Sequence, residues 1–170
     1  NIGTYIDSIQ YYATKVSAVT CSGGDINITA NQYFNDAAVL SKLTGSWNYK
    51  ISSATALQAV NLNSTINPHF GNSSISVNDT VSNVARNISG LQNIAQNNKL
   101  NSISMANGSA TITSATYNSS IDAIKLMSGN VVLNFIHSSS GAGNISSNVN
   151  NSLAPVDTSY FTSVIITKSS

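Results

Sequence analysis

The chain contains a long stretch that matches a second stretch of itself without a gap. Residues 15–51 align with residues 99–135 at a constant offset of 84 positions. The helix-like stretches before them match at an offset of 82, and the two-residue difference falls at Asn97 and Asn98, where a loop is expected. Identity is low, but apolar positions coincide with apolar positions. This self-similarity predicts a duplicated structural unit.

The matched positions are apolar-face, cap and turn residues. At the offset of 84 they pair Val16 with Leu100, Val19 with Ile103, Cys21 with Met105, Tyr33 with Tyr117, Leu40 with Ile124, Gly45 with Gly129, and Trp47 with Val131. At the offset of 82 they pair Ile2 with Val84, Ile6 with Ile88, Ile9 with Leu91, and Tyr12 with Ile94. No polar cluster is shared, so the duplication predicts a folding unit and not a copied catalytic site.

Hydrophobic spacing predicts the order helix–strand–strand–helix–strand in each unit. For the first unit we predict a helix over 2–13, strands over 15–21 and 26–28 joined by a turn over 22–25, a helix over 30–43, and a strand over 47–51. Thr29 is the expected N-cap of the second helix, and Thr44-Gly45 is expected to end it in the manner of a C-cap. A short helix over 54–60 and a strand over 75–77 then lead to the second unit.

The second unit is predicted to repeat this order. Its expected elements are a helix over 80–96 capped by Asp79 or Asn78, a strand over 100–105, a turn at Asn107-Gly108, a short strand at Ile112-Thr113, a helix that carries Tyr117 to Met127 and stops at Ser128-Gly129, and a strand over 131–136. We expect a loop over 138–152, with at most a weak helix, and a strand over 160–167.

The predicted fold is α/β (or α+β), with two tandem helix–strand–strand–helix–strand units that share a layered core. Residues 1–74 form unit one with its linker, residues 75–152 form unit two, and residues 153–170 supply a closing strand. One shared core is expected because each unit alone is too small to bury its apolar faces well.

Charge is scarce in this chain. Charged residues make up 8% of it, against roughly 25% in ordinary soluble proteins. With 24 Asn and 30 Ser, its polar surface must consist mainly of amides and hydroxyls. Seven scattered basic residues and a net charge of +1 argue against nucleic-acid binding, which needs several cations on one face. No apolar run approaches the ~20 residues that cross a bilayer, so no transmembrane segment is predicted.

The residues that could support catalysis are sparse, and the sequence predicts no enzyme. The two histidines, His69 and His137, are expected in a loop and just past a strand, and no Gly-x-Ser-x-Gly motif is present. The chain has no Glu, and its six Asp form no close pair in the sequence. Cys21 is the single cysteine and is expected to be a buried apolar residue. No catalytic or cofactor-binding residue is assigned.

Metal binding stays unknown at this point. No cysteine or histidine pair has ligand spacing, and no EF-hand loop or Gly-Gly-x-Gly-x-Asp repeat is present. Gly23-Gly24-Asp25 is interpreted as a turn. No cofactor is predicted, and Ca²⁺ would bind without a known local motif.

The second unit carries a recognisable series of short motifs. They are Val77-Asn78-Asp79-Thr80, Val84, Asn87-Ile88, Leu91, Ser102-Ile103, Ile112-Thr113, Tyr117 and Leu126-Met127. This series resembles an α/β repeat of large bacterial secreted and cell-surface proteins, S-layer-like proteins or adhesins often exported by type I secretion. Unit one departs from it, since it lacks the strand and Asp-Thr start. The resemblance implies a secreted or cell-surface location and leaves Ca²⁺ open, because S-layer-like proteins often need it; it carries no catalytic residues.

Two functions follow as expectations. The first is a structural, self-assembling module of a bacterial cell-surface protein, whose partners are copies of itself or neighbouring repeats within a longer chain. The alternative is a binding module for a glycan or for a small ligand such as haem, bound through Tyr or His. Tyr33, Tyr117, Trp47 and Tyr49 are expected in the core, which leaves Tyr5, Tyr11 and Tyr12 as candidate binding aromatics.

Overall fold

The computed structural model describes residues 2–64, 73–106, 108–129, 131–136, 144–148 and 163–168. The helices in these ranges are α1 (Ile2–Tyr11), α2 (Ala30–Asn35), α3 (Ala37–Leu40), α4 (Ala56–Ser64), α5 (Val81–Arg86), α6 (Ile88–Gln96), α7 (Ser114–Asn118) and α8 (Ile121–Lys125). The strands are β1 (Val19–Thr29), β2 (Leu43–Ala54), β3 (Ser74–Asp79), β4 (Leu100–Met105), β5 (Gly108–Thr113), β6 (Met127–Ser128), β7 (Val131–Ile136), β8 (Asn144–Asn148) and β9 (Ser163–Lys168). The α/β class predicted from the sequence is confirmed; the division into two tandem units stays a prediction.

The strands form two sheets. A five-stranded sheet has the order β1-β2-β3-β4-β6, and every pairing in it is parallel. A four-stranded sheet has the order β5-β7-β9-β8, with an antiparallel pairing between β7 and β9. In the larger sheet, strands that pair also follow one another in the sequence, except that β4 pairs with β6 because β5 belongs to the second sheet. Each parallel pairing therefore needs a crossover, and helices supply it.

Each step across the larger sheet uses a similar length of chain. Val19 pairs with Leu43 and Ile51 pairs with Ile75, two separations of 24 residues. Val77 pairs with Ile103 at a separation of 26, and Ile103 pairs with Met127 at 24. Since right-handed crossovers in sequential order place their helices on the same side of a sheet, the helices form one layer. Contacts between α1 and α3, α4 and α6, and α6 and α8 join that layer.

The core lies between this helix layer and one face of the sheet. Strand β3 shows the alternation clearly: Ile75 and Val77 are buried, whereas Ser74 and Ser76 remain partly exposed. Trp47, Tyr49 and Tyr117 are buried as predicted, and Tyr33 packs partly buried against them. Tyr33 contacts Tyr49 edge to face at a ring separation of 5.6 Å, a geometry that aromatic pairs favour.

Three helices that the sequence predicts as continuous are interrupted. Asp36 separates α2 from α3, Asn87 separates α5 from α6, and Ser119-Ser120 separate α7 from α8. The predicted helices over 30–43 and 80–96 were therefore wrong in their continuity, although their apolar positions were right. The break turns the chain without changing which residues face the core, so a periodicity analysis cannot detect it.

Two predicted turns are corrected by the strands. The residues 22–25 do not separate two strands; they form an irregularity inside β1, where Gly23 and Gly24 take positive φ and the pairing with β2 shifts. Gly45 does not end a helix, because α3 stops at Leu40 and Gly45 lies inside β2 with φ +101°. A Cβ at Gly45 would lie 2.1 Å from the Cys21 carbonyl oxygen, so close approach of two strands requires glycine there.

Helix caps were predicted with mixed success. Thr29 caps α2 as expected, and Gln32 completes a capping box with it. For α5 the cap is Thr80, not Asp79 or Asn78. The Asp79 carboxylate instead accepts hydrogen bonds from the Thr80 and Ala56 amides at 2.7 and 2.9 Å. It thereby joins the start of α5 to the start of α4.

The C-terminal part was only partly predicted. Strand β7 spans the predicted residues, and β9 begins three residues after the predicted start at 160. The loop expected over 138–152 contains strand β8, which pairs in parallel with β9. His69, His137 and Asn107 lie outside the described residues. No helix in the described part of the chain is long and apolar enough to cross a membrane.

Candidate functional site

The face of the larger sheet opposite the helices is built mainly from uncharged polar side chains, with Asp25 and Lys50 as charged members. The pairing registers place Asn27 of β1, Lys50 of β2 and Ser74 of β3 side by side in one row. On β4, Asn101 donates a hydrogen bond from Nδ2 to Ser76 Oγ at 3.1 Å. These residues are exposed or half-buried, whereas their apolar neighbours along each strand point into the core. We call this surface the open face.

A shallow groove crosses the open face. Its volume is about 410 Å³, and its polar lining comes from β1 to β4 as Asn27, Lys50, Ser52, Ser74, Ser76 and Asn101. Lys50 is the one charged residue among the described residues that line it. The groove therefore offers hydroxyl and amide donors and acceptors, with a single ammonium group. That inventory suits neutral hydrogen-bonding partners better than anions.

Two carboxyl groups meet where α1 packs against the break between α2 and α3, and the sequence analysis did not predict this pair. Asp36 sits at the break between α2 and α3, is 4% exposed, and its Oδ2 has no hydrogen-bond partner. Asp7 of α1 accepts a hydrogen bond from Gln32 Nε2 at 3.1 Å and lies against Asp36. Burial, together with the hydrogen bond and charge of Asp7, raises the pKa of Asp36 to about 6.

A glutamine bridges from one helix to the next at two places that correspond in the two halves of the chain. Gln10 Oε1 accepts a hydrogen bond from the Val39 amide at 2.9 Å. Gln92 Oε1 accepts one from the Ala123 amide, also at 2.9 Å. The glutamines lie 82 residues apart and their donors 84 apart, so this is a shared polar contact that the sequence comparison missed. It ties successive crossovers together, which is a structural role.

Asp79 is the second carboxylate with a shifted pKa. Burial raises its pKa, but hydrogen bonds from the Asn83 side chain and from the Ala56 and Thr80 amides outweigh burial and leave the pKa below its ordinary value. The Asn83 Nδ2 donor lies 2.8 Å from Asp79 Oδ1. Such a stabilised carboxylate is a poor general base, and its three donors mark it as a structural link.

The remaining sequence candidates are dispersed. Cys21 is half-buried instead of buried, because β1 is an edge strand, and burial raises the pKa of its thiol. Tyr5 and Tyr11 of α1 and Tyr12, which directly follows α1, are exposed. Among the described residues, no three His, Cys, Asp or Glu side chains lie close enough to share a metal ion. His69 and His137, the histidines considered for haem, lie outside those residues.

Comparison with protein-family models, with curated proteins and with solved structures finds no match for this chain.

Proposed function

We propose that this chain is a structural, self-assembling module of a bacterial cell-surface protein, with copies of itself or neighbouring repeats as partners. The open face of the parallel sheet is the observation that carries the proposal. Parallel sheets are usually covered on both faces, whereas in this one no described element covers the surface that carries Asn27, Ser74, Ser76 and Asn101. A polar surface of this kind, with few charges, suits packing against a like surface.

Low charge supports the same proposal. Net charge far from zero keeps proteins apart in solution, and this chain has a net charge of +1 over 170 residues. Hydroxyl and amide side chains can donate and accept, so two copies of the open face can satisfy each other without charge pairing. A secreted or cell-surface location belongs to this proposal, through the resemblance of the second unit to bacterial surface repeats.

Light scattering across a concentration series tests the proposal. We expect the chain to self-associate, and a variant with Asn27→Lys and Asn101→Lys to stay monomeric because added cations on the open face repel. A matched variant with Ser89→Lys and Gln96→Lys adds the same charge to exposed positions of α6. The proposal fails if the unmodified chain is monomeric at every concentration, with and without Ca²⁺, or if both variants assemble equally.

A glycan-binding role is the second candidate, favoured by the groove on the open face. Its amide and hydroxyl lining matches the hydrogen-bonding groups of a neutral polysaccharide. A glycan array with the unmodified chain and an Asn101→Ala variant tests this role. Binding that the variant loses would support it, and a blank array would remove it.

A further inference from the structure

A second groove lies at the edge of the larger sheet that β1 forms. Its volume is about 570 Å³, and its apolar lining comes from Ile2, Tyr5 and Ile9 of α1 and from Val19, Cys21 and Ile26 of β1. Tyr5 of α1 is 63% exposed, and Tyr12, which directly follows α1, is 53% exposed. Within the described residues β1 pairs only with β2, so its outer edge is unpaired. We call this surface the edge groove.

The second half of the chain contains equivalent positions, and there they are covered. Val84, Leu91 and Ile94, which lie 82 residues after Ile2, Ile9 and Tyr12, are at most 1% exposed. The strands show the same difference at an offset of 84 residues. Ile103 and Met105 of β4 are buried, whereas their counterparts in β1, Val19 and Cys21, are half-buried. The apolar surface of the edge groove is therefore the surface that the second half of the chain buries.

The element that covers the interior positions is a single helix-and-strand layer, α4 followed by β3. On the helix side, a Cβ at Gly90 of α6 would come within 2.6 Å of Val60 on α4, and Asn63 donates to Asn93 at 3.1 Å. On the strand side, β3 pairs in parallel with β4 through Val77 and Ile103. No equivalent of this layer covers α1 and β1 among the described residues.

We propose that the edge groove docks a helix-and-strand layer, built like α4 and β3, from a neighbouring repeat. The proposal rests on the neighbouring repeats proposed above as partners, and it is separate from packing between open faces: a strand lies parallel to β1, and a helix lies against Ile2, Ile9 and Tyr12. The contact is heterologous, because the groove and the docked layer are different surfaces. Such contacts generate open chains of repeats unless the rotation closes a ring.

Cys21 gives a direct measurement, since it is the single cysteine and lines the groove. Residues 55–83 contain no cysteine or tyrosine and can be joined directly to Ile2 of the full chain, which reproduces the connection from residue 83 to Val84. We expect the thiol of this extended chain to react with a disulfide reagent at least ten times more slowly than in the unextended chain. Nitration of Tyr5 and Tyr12 should fall in parallel.

The matched control carries Ile75→Asn and Val77→Asn in the added segment only, which removes the apolar face of the added strand. We expect its Cys21 to react as fast as in the unextended chain. Equal Cys21 reactivity in all three chains, with the native circular dichroism retained, would overturn the proposal.

If the extended chain does not fold, a longer extension with residues 19–83, which carries Cys21→Ser in the added segment only, decides the question because it also supplies β1 and β2. Unchanged reactivity of the original Cys21 in that chain, with the native circular dichroism retained, would overturn the edge-groove proposal and leave self-assembly standing. Conversely, protection in the extended chain together with a strictly monomeric unextended chain would keep the edge groove and refute self-assembly.

Discussion

Replacing Asp36 by Asn should stabilise the protein at neutral pH. Asp36 is buried beside Asp7 and its pKa is raised from 3.8 to about 6. A raised pKa means that the folded state binds the proton more tightly than the unfolded state. The stabilisation is therefore complete below pH 3.8, declines as the pH rises, and is lost above about pH 6.

The size of the effect follows from the two pKa values. At about 1.36 kcal/mol for each pH unit, the difference between 3.8 and about 6 amounts to about 3 kcal/mol once Asp36 is ionised. An Asn at this position is neutral at every pH, and its Nδ2 can donate to Asp7 as the protonated acid does. We expect Asp36→Asn to gain up to about 3 kcal/mol at pH 8 and almost nothing at pH 3.5.

Urea unfolding of both proteins from pH 3.5 to pH 8 measures this difference, and a gain of that size would raise the melting temperature by about 6–12 °C. Asp7→Asn is the matched variant; since burial is the largest single cause of the shift and remains in this variant, it should recover only part of the gain. An Asp36→Asn protein no more stable than the parent at pH 8, or a gain that does not depend on pH, would refute the reasoning.

Three further predictions concern stability at pH 7, measured by urea unfolding. Gly45→Ala should cost about 2–5 kcal/mol and Gly23→Ala only about 1–2, because both have positive φ but the new Cβ meets a facing carbonyl only at Gly45; equal costs would contradict this. Gln92→Ala should cost about 1–3 kcal/mol by leaving a buried amide of α8 without its acceptor, whereas the exposed Gln96→Ala should change less than about 0.5. Asp79→Asn should cost about 1–2 kcal/mol at pH 7 and less as the pH falls below 3.8, since a lowered pKa gives stability that disappears as the pH falls; a cost that does not change with pH would contradict this.

Much of the fold could be predicted from the sequence because burial follows a simple period. Alternation located β4, the strong apolar run located β7, and a threonine followed by an apolar-periodic stretch located the start of α2. The helix breaks could not be found in this way. At Asp36 one extra turn residue leaves Val39 and Leu40 facing the core, so the apolar spacing hardly changes.

The candidate surfaces were less predictable for a different reason. Asp7 and Asp36 are 29 residues apart, and only the packing of α1 against α3 brings them together. The open face could not be predicted from the sequence. A polar residue at every second strand position predicts exposure, but it does not indicate which strands lie side by side. Predicting the edge groove requires the strand order. It also requires knowing which of two equivalent apolar positions, one in each half of the chain, is covered.

The regular advance across the larger sheet also sets how far the sheet extends for each residue of the chain. Each step consumes 24 to 26 residues and moves the sheet forward by one strand spacing, about 4.8 Å. That is about 0.2 Å for each residue, against 1.5 Å in a helix. A protein made of such layers gains thickness and surface much faster than length. Adding or deleting one layer shifts its ends by only about 5 Å, so its span is adjustable in fine steps.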